Sequence, residues 1–191
     1  GGDCPLDPLS VGRHQKKARR LNAHLAFLDE SGFLLLPTVR RTWAPRGVTP
    51  VLRHRYRRDK VSAISAVTVS PRRQRCSLYA LFHGDNITQA EVARFLRLLL
   101  RQVAGPLIVL WDGSALHGGP EVAALLARHP RLHVERFPPY APELNPDELV
   151  WHHLKRMLAN GCPDTVDQLL DDLTRVTRDL RRAPALLRAC V

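Results

Sequence analysis

Three acidic side chains stand at places where the sequence pattern changes. Asp29 and Asp112 each follow a short apolar run, and Glu148 lies in the first turn of a predicted helix. Carboxylates are the ligands that Mg²⁺ prefers, and the ion keeps its remaining positions for water and substrate phosphates. Three acids that met in space would hold two such ions about 4 Å apart, and that arrangement catalyses transfer at phosphodiesters.

Each acid also has an ordinary structural explanation. Asp29 could be a turn residue, and Asp112 could be a cap at the end of a strand. Glu148 stands three residues after Asn145, with Pro146 between them, which is the spacing of a capping box at a helix N-terminus. Spacing alone leaves both explanations open for each of the three residues.

The apolar runs around these acids predict an α/β domain with a five-stranded mixed sheet flanked by helices. The first three strands are predicted to be antiparallel and the remainder parallel, because only the later strands alternate with helices. The polar patch of residues 29–32 interrupts the first run, so we expect a hairpin turn near Asp29. The predicted strands are Leu25–Leu28 continued by Phe33–Leu36, Val61–Val69, Cys76–Phe82, Leu107–Trp111 and Leu132–Phe137.

Helix signals lie between and after these strands. Thr88-x-x-Glu91 and Thr165-x-x-Gln168 are capping boxes, and apolar residues at helical spacing follow each of them. A third helix is expected over about residues 121–128. The helix that carries Glu148 is expected to run to about Ala159, and Pro184 ends the last helix.

The two ends of the chain differ from its middle. Residues 1–22 are rich in Gly, Pro and charge, and we interpret them as a basic linker or arm cut from something upstream. Residues 23–185 are predicted to form one domain and residues 186–191 a tail. The four single cysteines indicate neither a disulfide framework nor a zinc site. No apolar run reaches the roughly 18 residues of a membrane span and no signal peptide is evident, so we expect a cytoplasmic protein.

The chain is strongly basic. It has 29 Lys and Arg against 18 Asp and Glu, a net charge of +11, and Arg predominates. Arginine grips phosphate oxygens with two N–H groups, and neutralised phosphates release counterions, so nucleic acid is the first candidate partner. A merely hydrated basic surface would have the same composition. The candidate DNA-binding residues are Arg53, Arg55, Arg57, Arg58, Lys60, Arg72, Arg73 and Lys155.

Three stretches of sequence carry a likeness to a known family. They are Leu25–Phe33 with Asp29, Ile108–Asp112 with His117 five residues on, and Phe137–Glu148 with its Pro-Pro-Tyr-x-Pro-x-Leu-Asn-Pro-x-Glu string. On these motifs the chain resembles the Tc/mariner superfamily of DDE transposases, particularly the branch carried by bacterial insertion sequences. The resemblance spans about residues 25–158. Gly113 and Asp147 depart from the family pattern, which usually has Asn and an aliphatic residue at these positions.

The resemblance implies an RNase H-like catalytic domain in which Asp29, Asp112 and Glu148 are catalytic and hold two Mg²⁺ ions, for which Mn²⁺ can substitute. It also implies double-stranded DNA as partner, namely transposon terminal inverted repeats and target DNA, together with a homodimer on DNA and a nucleoid-associated bacterial protein. The arm at residues 1–22 would then be truncated from an upstream DNA-binding region.

Further residues of the three motifs are candidates for supporting roles. The candidate secondary site residues are His117, Trp151 and His152. We expect Asp147 to serve the helix N-terminus, where the macrodipole stabilises acids. Two other functions stay open, namely another RNase H-like nuclease and a degenerate DNA-binding remnant without catalysis.

Overall fold

Five strands form one mixed sheet. They are β1 (His24–Leu34), β2 (Lys60–Val69), β3 (Cys76–His83), β4 (Leu107–Trp111) and β5 (Leu132–Arg136). The strand order is β3-β2-β1-β4-β5. The first three strands pair antiparallel, whereas β4 runs parallel to β1 and β5 runs parallel to β4. The predicted five-stranded mixed sheet is therefore confirmed.

The coordinates are those of a computed structural model, which describes residues 8–36, 38–51, 59–72, 74–137 and 145–191, with side chains from residue 14 onward. Residues 38–51 form an exposed segment without helix or strand, as expected from their Pro, Gly and Arg content. None of the helices in these ranges is long and apolar enough to cross a membrane.

The first strand is continuous, and the predicted hairpin near Asp29 is wrong. β1 pairs with β2 without interruption from Leu25 opposite Val69 to Leu34 opposite Lys60. On its other side, β1 pairs with β4 only as far as Phe27. Hydrogen bonds to β2 thus continue β1 beyond the point where its pairing with β4 ends. The polar patch at residues 29–32 therefore belongs to a strand that is paired on one side only, where polar side chains can reach water.

The described residues contain six α-helices. They are α1 (Pro8–Leu21), α2 (Gln89–Gln102), α3 (Pro120–Arg128), α4 (Pro146–Met157), α5 (Val166–Arg181) and α6 (Pro184–Ala189), with a short 3₁₀ helix at Ala115–Gly118. The predicted capping residues act as expected. The Thr88 N–H donates to Glu91 Oε2 at 3.1 Å, and the Gln168 N–H donates to Thr165 Oγ1 at 3.2 Å.

Two hydrophobic cores lie on opposite faces of the sheet. One core packs α2 and α3 against β1, β2 and β4, with Phe95 and Leu96 fully buried. The other packs α4, α5 and α6 against β1, β2 and β3, with Leu154 and Leu173 fully buried. α4 is the helix that carries Glu148, so the second core fixes the height of that residue above the sheet.

Two helices near the ends of the chain, Pro8–Leu21 and Pro184–Ala189, are not predicted from the sequence. The segment interpreted as a linker or arm contains α1, whose Ala18 is buried and whose Lys17 Nζ lies 2.5 Å from Glu135 Oε1 on β5. The residues interpreted as a tail belong to α6, whose Leu187 is buried in the second core. The sequence does not predict these two helices, because each is too polar or too short to show an apolar stripe.

Candidate active site

The sheet brings Asp29 and Asp112 to the same level. Phe27 and Leu110 are Cα partners in the parallel pair of β1 and β4, and each acid lies two residues further along its chain. Because side chains alternate between the faces of a sheet, positions at equal distance from a paired couple share a face. Asp112 directly follows the last residue of β4. The two acids are thus neighbours in register at the carboxyl end of β4.

Asp29 is half-buried and meets α4. The Trp151 Nε1–H donates to Asp29 Oδ2 at 3.0 Å, and Trp151 itself packs edge-on against Phe33. Burial of the carboxyl raises the pKa of Asp29 to about 7, and the negative charge of Glu148 adds to the rise. The hydrogen bond from Trp151 acts in the opposite direction, since it stabilises the ionised form. A cation bound beside Asp29 and Glu148 would offset the repulsion between their negative charges.

The N-terminus of α4 presents Glu148 to this site. The Asp147 N–H donates to the side-chain oxygen of Asn145 at 3.2 Å, so Asn145 is the N-cap as predicted, and Pro146 is the first helical residue. In the described part of the chain, the Glu148 side chain makes no hydrogen bond back to the cap, and it is exposed. The structure therefore does not contain the capping box that the spacing of Glu148 allowed. Glu148 instead lies near enough to Asp29 for its charge to act on that carboxyl.

Asp147 turns away from solvent. Its side chain is 0% exposed and accepts a hydrogen bond from Ser65 Oγ of β2 at 2.9 Å, while its Oδ1 has no partner among the described residues. Burial raises the pKa of Asp147 well above its ordinary value, and the nearby charges of Asp29 and Glu148 act in the same direction. The expectation that Asp147 merely serves the helix terminus is thus incomplete, because helical spacing does not tell which residue of a first turn faces the sheet.

Asp112 is held by its own loop. The Ser114 N–H donates to Asp112 Oδ1 at 2.9 Å, a bond typical of a polar residue that closes a turn. The His117 Nδ1 lies 3.2 Å from both the backbone oxygen and Oδ1 of Asp112. The His117 Nε2 lies 3.0 Å from Glu30 Oε1. Glu30, which the sequence analysis passed over, therefore belongs to the site.

The imidazole of His117 is surrounded by acceptors. Burial alone would lower the pKa of His117, but the hydrogen bonds and charges of Glu30 and Asp112 outweigh it and raise that pKa. Both ring nitrogens face oxygen acceptors, so both contacts are hydrogen bonds only when the ring carries two protons. A cationic imidazole next to Asp112 follows from this geometry.

The donor set fits a hard divalent cation. Asp29 and Glu148 offer carboxylate oxygens whose negative charges repel each other, and Asp112 lies at the same level on the adjacent strand. Within the described ranges, no three His, Cys, Asp or Glu side chains are grouped closely enough to hold one ion. The fold thus brings Asp29 and Glu148 together, while the carboxylate of Asp112 is engaged with Ser114 and His117.

The other predicted site residues have varied positions. Trp151 is buried and bonds to Asp29, and His152 is exposed on α4. Lys155 is exposed, with its Nζ 5.8 Å from the centre of the Phe33 ring. Lys60 and Arg72 are exposed at the ends of β2. The residues Arg53, Arg55, Arg57, Arg58 and Arg73, and most of the Pro-Pro-Tyr motif, lie outside the described residues.

Comparisons with known proteins identify the family of this chain. The family profile of the DDE superfamily endonucleases matches residues 24–170. The chain therefore belongs to the DDE endonuclease superfamily. No curated protein matches it by sequence.

Solved structures share the fold. The Mos1 transposase paired-end complex with the left transposon end matches at a TM-score of 0.60 and 18% identity, over 96% of this chain and 59% of that one. The Mos1 catalytic domain matches at 0.52 and 15%, over 96% and 87% of the two chains. A simian T-cell lymphotropic virus intasome matches at 0.53 and 13%, over 82% and 48%. The RNase H-like fold is thereby established, and this chain spans about 59% of the length of the Mos1 chain in the paired-end complex.

Proposed function

We propose that the chain is the catalytic part of a DNA transposase that cleaves DNA at transposon ends and joins the freed end to target DNA. The observation that carries the proposal is the pair of repelling carboxylates, Asp29 and Glu148, at the carboxyl end of β4 in a DDE endonuclease. Such a pair is unfavourable in a protein without a cation and useful in one that binds a cation.

Asp29, Asp112 and Glu148 would hold two Mg²⁺ or Mn²⁺ ions. When bound, the ions would activate a water or 3′-hydroxyl nucleophile and stabilise the departing oxygen. The Mos1 paired-end complex was solved with Mn and with Mg, and a separate Mos1 structure is a strand transfer complex, which supports the proposed metal requirement and reaction. Trp151 orients Asp29, and the first turn of α4 presents Glu148.

Double-stranded DNA would bind on the basic side chains around the site. Lys155 lies one turn of α4 away from the Trp151 that holds Asp29, and Lys60 and Arg72 are exposed at the two ends of β2. The Mos1 paired-end complex contains a transposon end, and on this basis we extend the proposal to terminal inverted repeats as the bound DNA. A homodimer on DNA is part of the same proposal. We also propose residues 23–185 as the catalytic domain, a bacterial insertion sequence as its source and the nucleoid as its place of action.

The direct test is cleavage of supercoiled plasmid DNA that carries the inverted repeats flanking the coding sequence. We expect nicking with Mg²⁺ or Mn²⁺ and none with a chelator. Asp112→Asn and Glu148→Gln should each lower the rate by at least about 100-fold, since each would remove a ligand of the ions that stabilise the departing oxygen. Binding of the same DNA should weaken steeply with salt in the wild type and in both variants.

One observation favours a second candidate, the degenerate remnant that binds DNA without cutting it. In the described part of the chain the three acids do not form a common cluster, and Gly113 stands beside Asp112. Salt-sensitive DNA binding with no cleavage under any metal would support this candidate. Cleavage of a four-way junction or an RNA–DNA hybrid in preference to the repeats would instead indicate another RNase H-like nuclease.

A further inference from the structure

His117 occupies an unusual position for a buried histidine. It lies in the one-turn 3₁₀ helix that follows β4, its residue is 5% exposed, and its ring stacks on Trp111 with centroids 4.4 Å apart and planes 7° from parallel. The stacking fixes the plane of the imidazole. Within that plane, the two ring nitrogens point in different directions, and each meets an acidic residue.

The two partners of His117 come from different strands of the site. Nε2 meets the carboxylate of Glu30, the neighbour of Asp29 on β1, and Nδ1 meets the backbone oxygen and the carboxylate of Asp112. One imidazole thus joins the strand of the first acid to the loop of the second. This connection matters because the pairing of β1 with β4 ends at Phe27 and Leu110, before either acid is reached.

The loop that carries Asp112 needs such an anchor. The side chain of Asp112 is 61% exposed, and Gly113, which has open space around its Cα, gives the following backbone additional freedom. Only the Ser114 N–H and His117 hold the Asp112 carboxylate in the described part of the chain. A histidine that served packing alone would have no reason to bond to acidic residues on both sides.

We propose that His117 is a positioning residue. It is held by its hydrogen bond to Glu30 and by stacking on Trp111, and it fixes the orientation of the Asp112 carboxylate for metal binding beside Asp29. The inference rests on the proposed function only in taking Asp112 to be a metal ligand. Partners that orient a metal ligand typically change metal affinity by about 10- to 100-fold when they are removed. The expected size of the effect follows from that range.

Two amide substitutions separate the two ends of the imidazole. In His117→Asn, the side-chain NH₂ group stands near the position of Nδ1, so it can still donate to Asp112 but cannot reach Glu30. In His117→Gln, the NH₂ group stands near the position of Nε2, so it can still donate to Glu30 but not to Asp112. Both variants lose the same stacking on Trp111, and we expect both to lower the Tm to a similar extent.

The first readout needs no metal. The Ser114 N–H donates to Asp112 Oδ1, so its amide hydrogen exchange reports whether the carboxylate keeps its place. We expect exchange of the Ser114 amide to accelerate by at least about 10-fold in His117→Gln and much less in His117→Asn. Equal acceleration in the two variants, or none in either, would overturn the assignment.

The second readout is the affinity for Mn²⁺ alone, measured by electron paramagnetic resonance on the full chain. We expect His117→Gln to bind Mn²⁺ about 10- to 100-fold more weakly than the wild type, and His117→Asn to lose about threefold or less. A merely structural role would lower both affinities in parallel with the Tm. If the wild type itself binds no Mn²⁺, the proposed function fails, and the Ser114 exchange still decides whether His117 positions Asp112.

Discussion

Replacing Asp29 by Asn should stabilise the protein while abolishing its proposed activity. The Asn side chain keeps an acceptor for the Trp151 Nε1–H but can no longer ionise next to Glu148. A wild-type carboxyl whose folded pKa is raised favours folding most below its unfolded pKa, and this contribution is lost as the pH rises through the folded pKa. The stabilisation by Asn therefore appears as the pH rises from the ordinary value of 3.8 towards about 7.

The magnitude follows from the two pKa values of Asp29, 3.8 and about 7. Their difference corresponds to about 4 kcal/mol when the group is fully ionised. Partial exposure of the side chain allows solvent to screen this penalty, and we reduce it to about 2 kcal/mol. The free energy of unfolding of Asp29→Asn should thus exceed that of the wild type by about 2 kcal/mol above pH 7, by about 1 kcal/mol near pH 5 and by almost nothing below pH 4.

Urea unfolding of the metal-free protein at several pH values between 4 and 8 measures this difference. Asp112→Asn is the matched control, because it also removes a proposed metal ligand but from a side chain that is 61% exposed. We expect it to give no gain in the free energy of unfolding as the pH rises to 8, because the Asp112 carboxylate contacts His117 and not a second acid. An Asp29→Asn variant no more stable than the wild type at pH 8, or equally stabilised at pH 4 and 8, would refute the reasoning.

Three further predictions concern other parts of the same framework. Trp151→Phe keeps the packing on Phe33 but removes the N–H that stabilises ionised Asp29, so an NMR titration should find the Asp29 pKa higher than in the wild type; an unchanged or lower value would contradict this role. Leu154→Ala should lower the free energy of unfolding by about 2–5 kcal/mol in urea, because Leu154 is fully buried under the sheet, and a loss below about 1 kcal/mol would argue against that packing. Burial alone would raise the pKa of Glu135, but its contacts with Lys17 and His14 lower that pKa. Glu135→Gln should therefore lower the Tm at pH 7 and lose this effect as the pH falls through the folded pKa of Glu135; an effect that persists after Glu135 is protonated, as followed by NMR, would exclude the ion pair as its cause.

The sequence was sufficient for the order of the central elements. The strands β2 to β5 and the helices α2 to α5 were predicted close to their observed bounds, because their apolar periodicity and capping residues are local signals. The mixed sheet followed from the order of these elements. Asp29, Asp112 and Glu148 were singled out from motifs, and the register of β1 with β4 is consistent with two of them sharing one edge.

The local signal failed where a neighbour distant in the chain decides the structure. β1 continues through its acidic patch because β2 supplies hydrogen bonds along its whole length, and no property of residues 29–32 announces that partner. α1 and α6 are helices because Ala18 and Leu187 find places against the sheet, although neither segment has a strong apolar face.

The direction of each polar side chain depended on tertiary packing. The rotation of α4 against β2 decided which acid of its first turn faces the core. Asp147 bonds to Ser65, and Glu148 lies near Asp29. The contact of His117 with Glu30 joins residues 87 positions apart. Composition, capping and strand alternation are properties of neighbouring residues and can be read along the chain. The charges that meet in the site are set by how whole elements pack, which is why only the folded structure revealed Glu30 and its contact with His117.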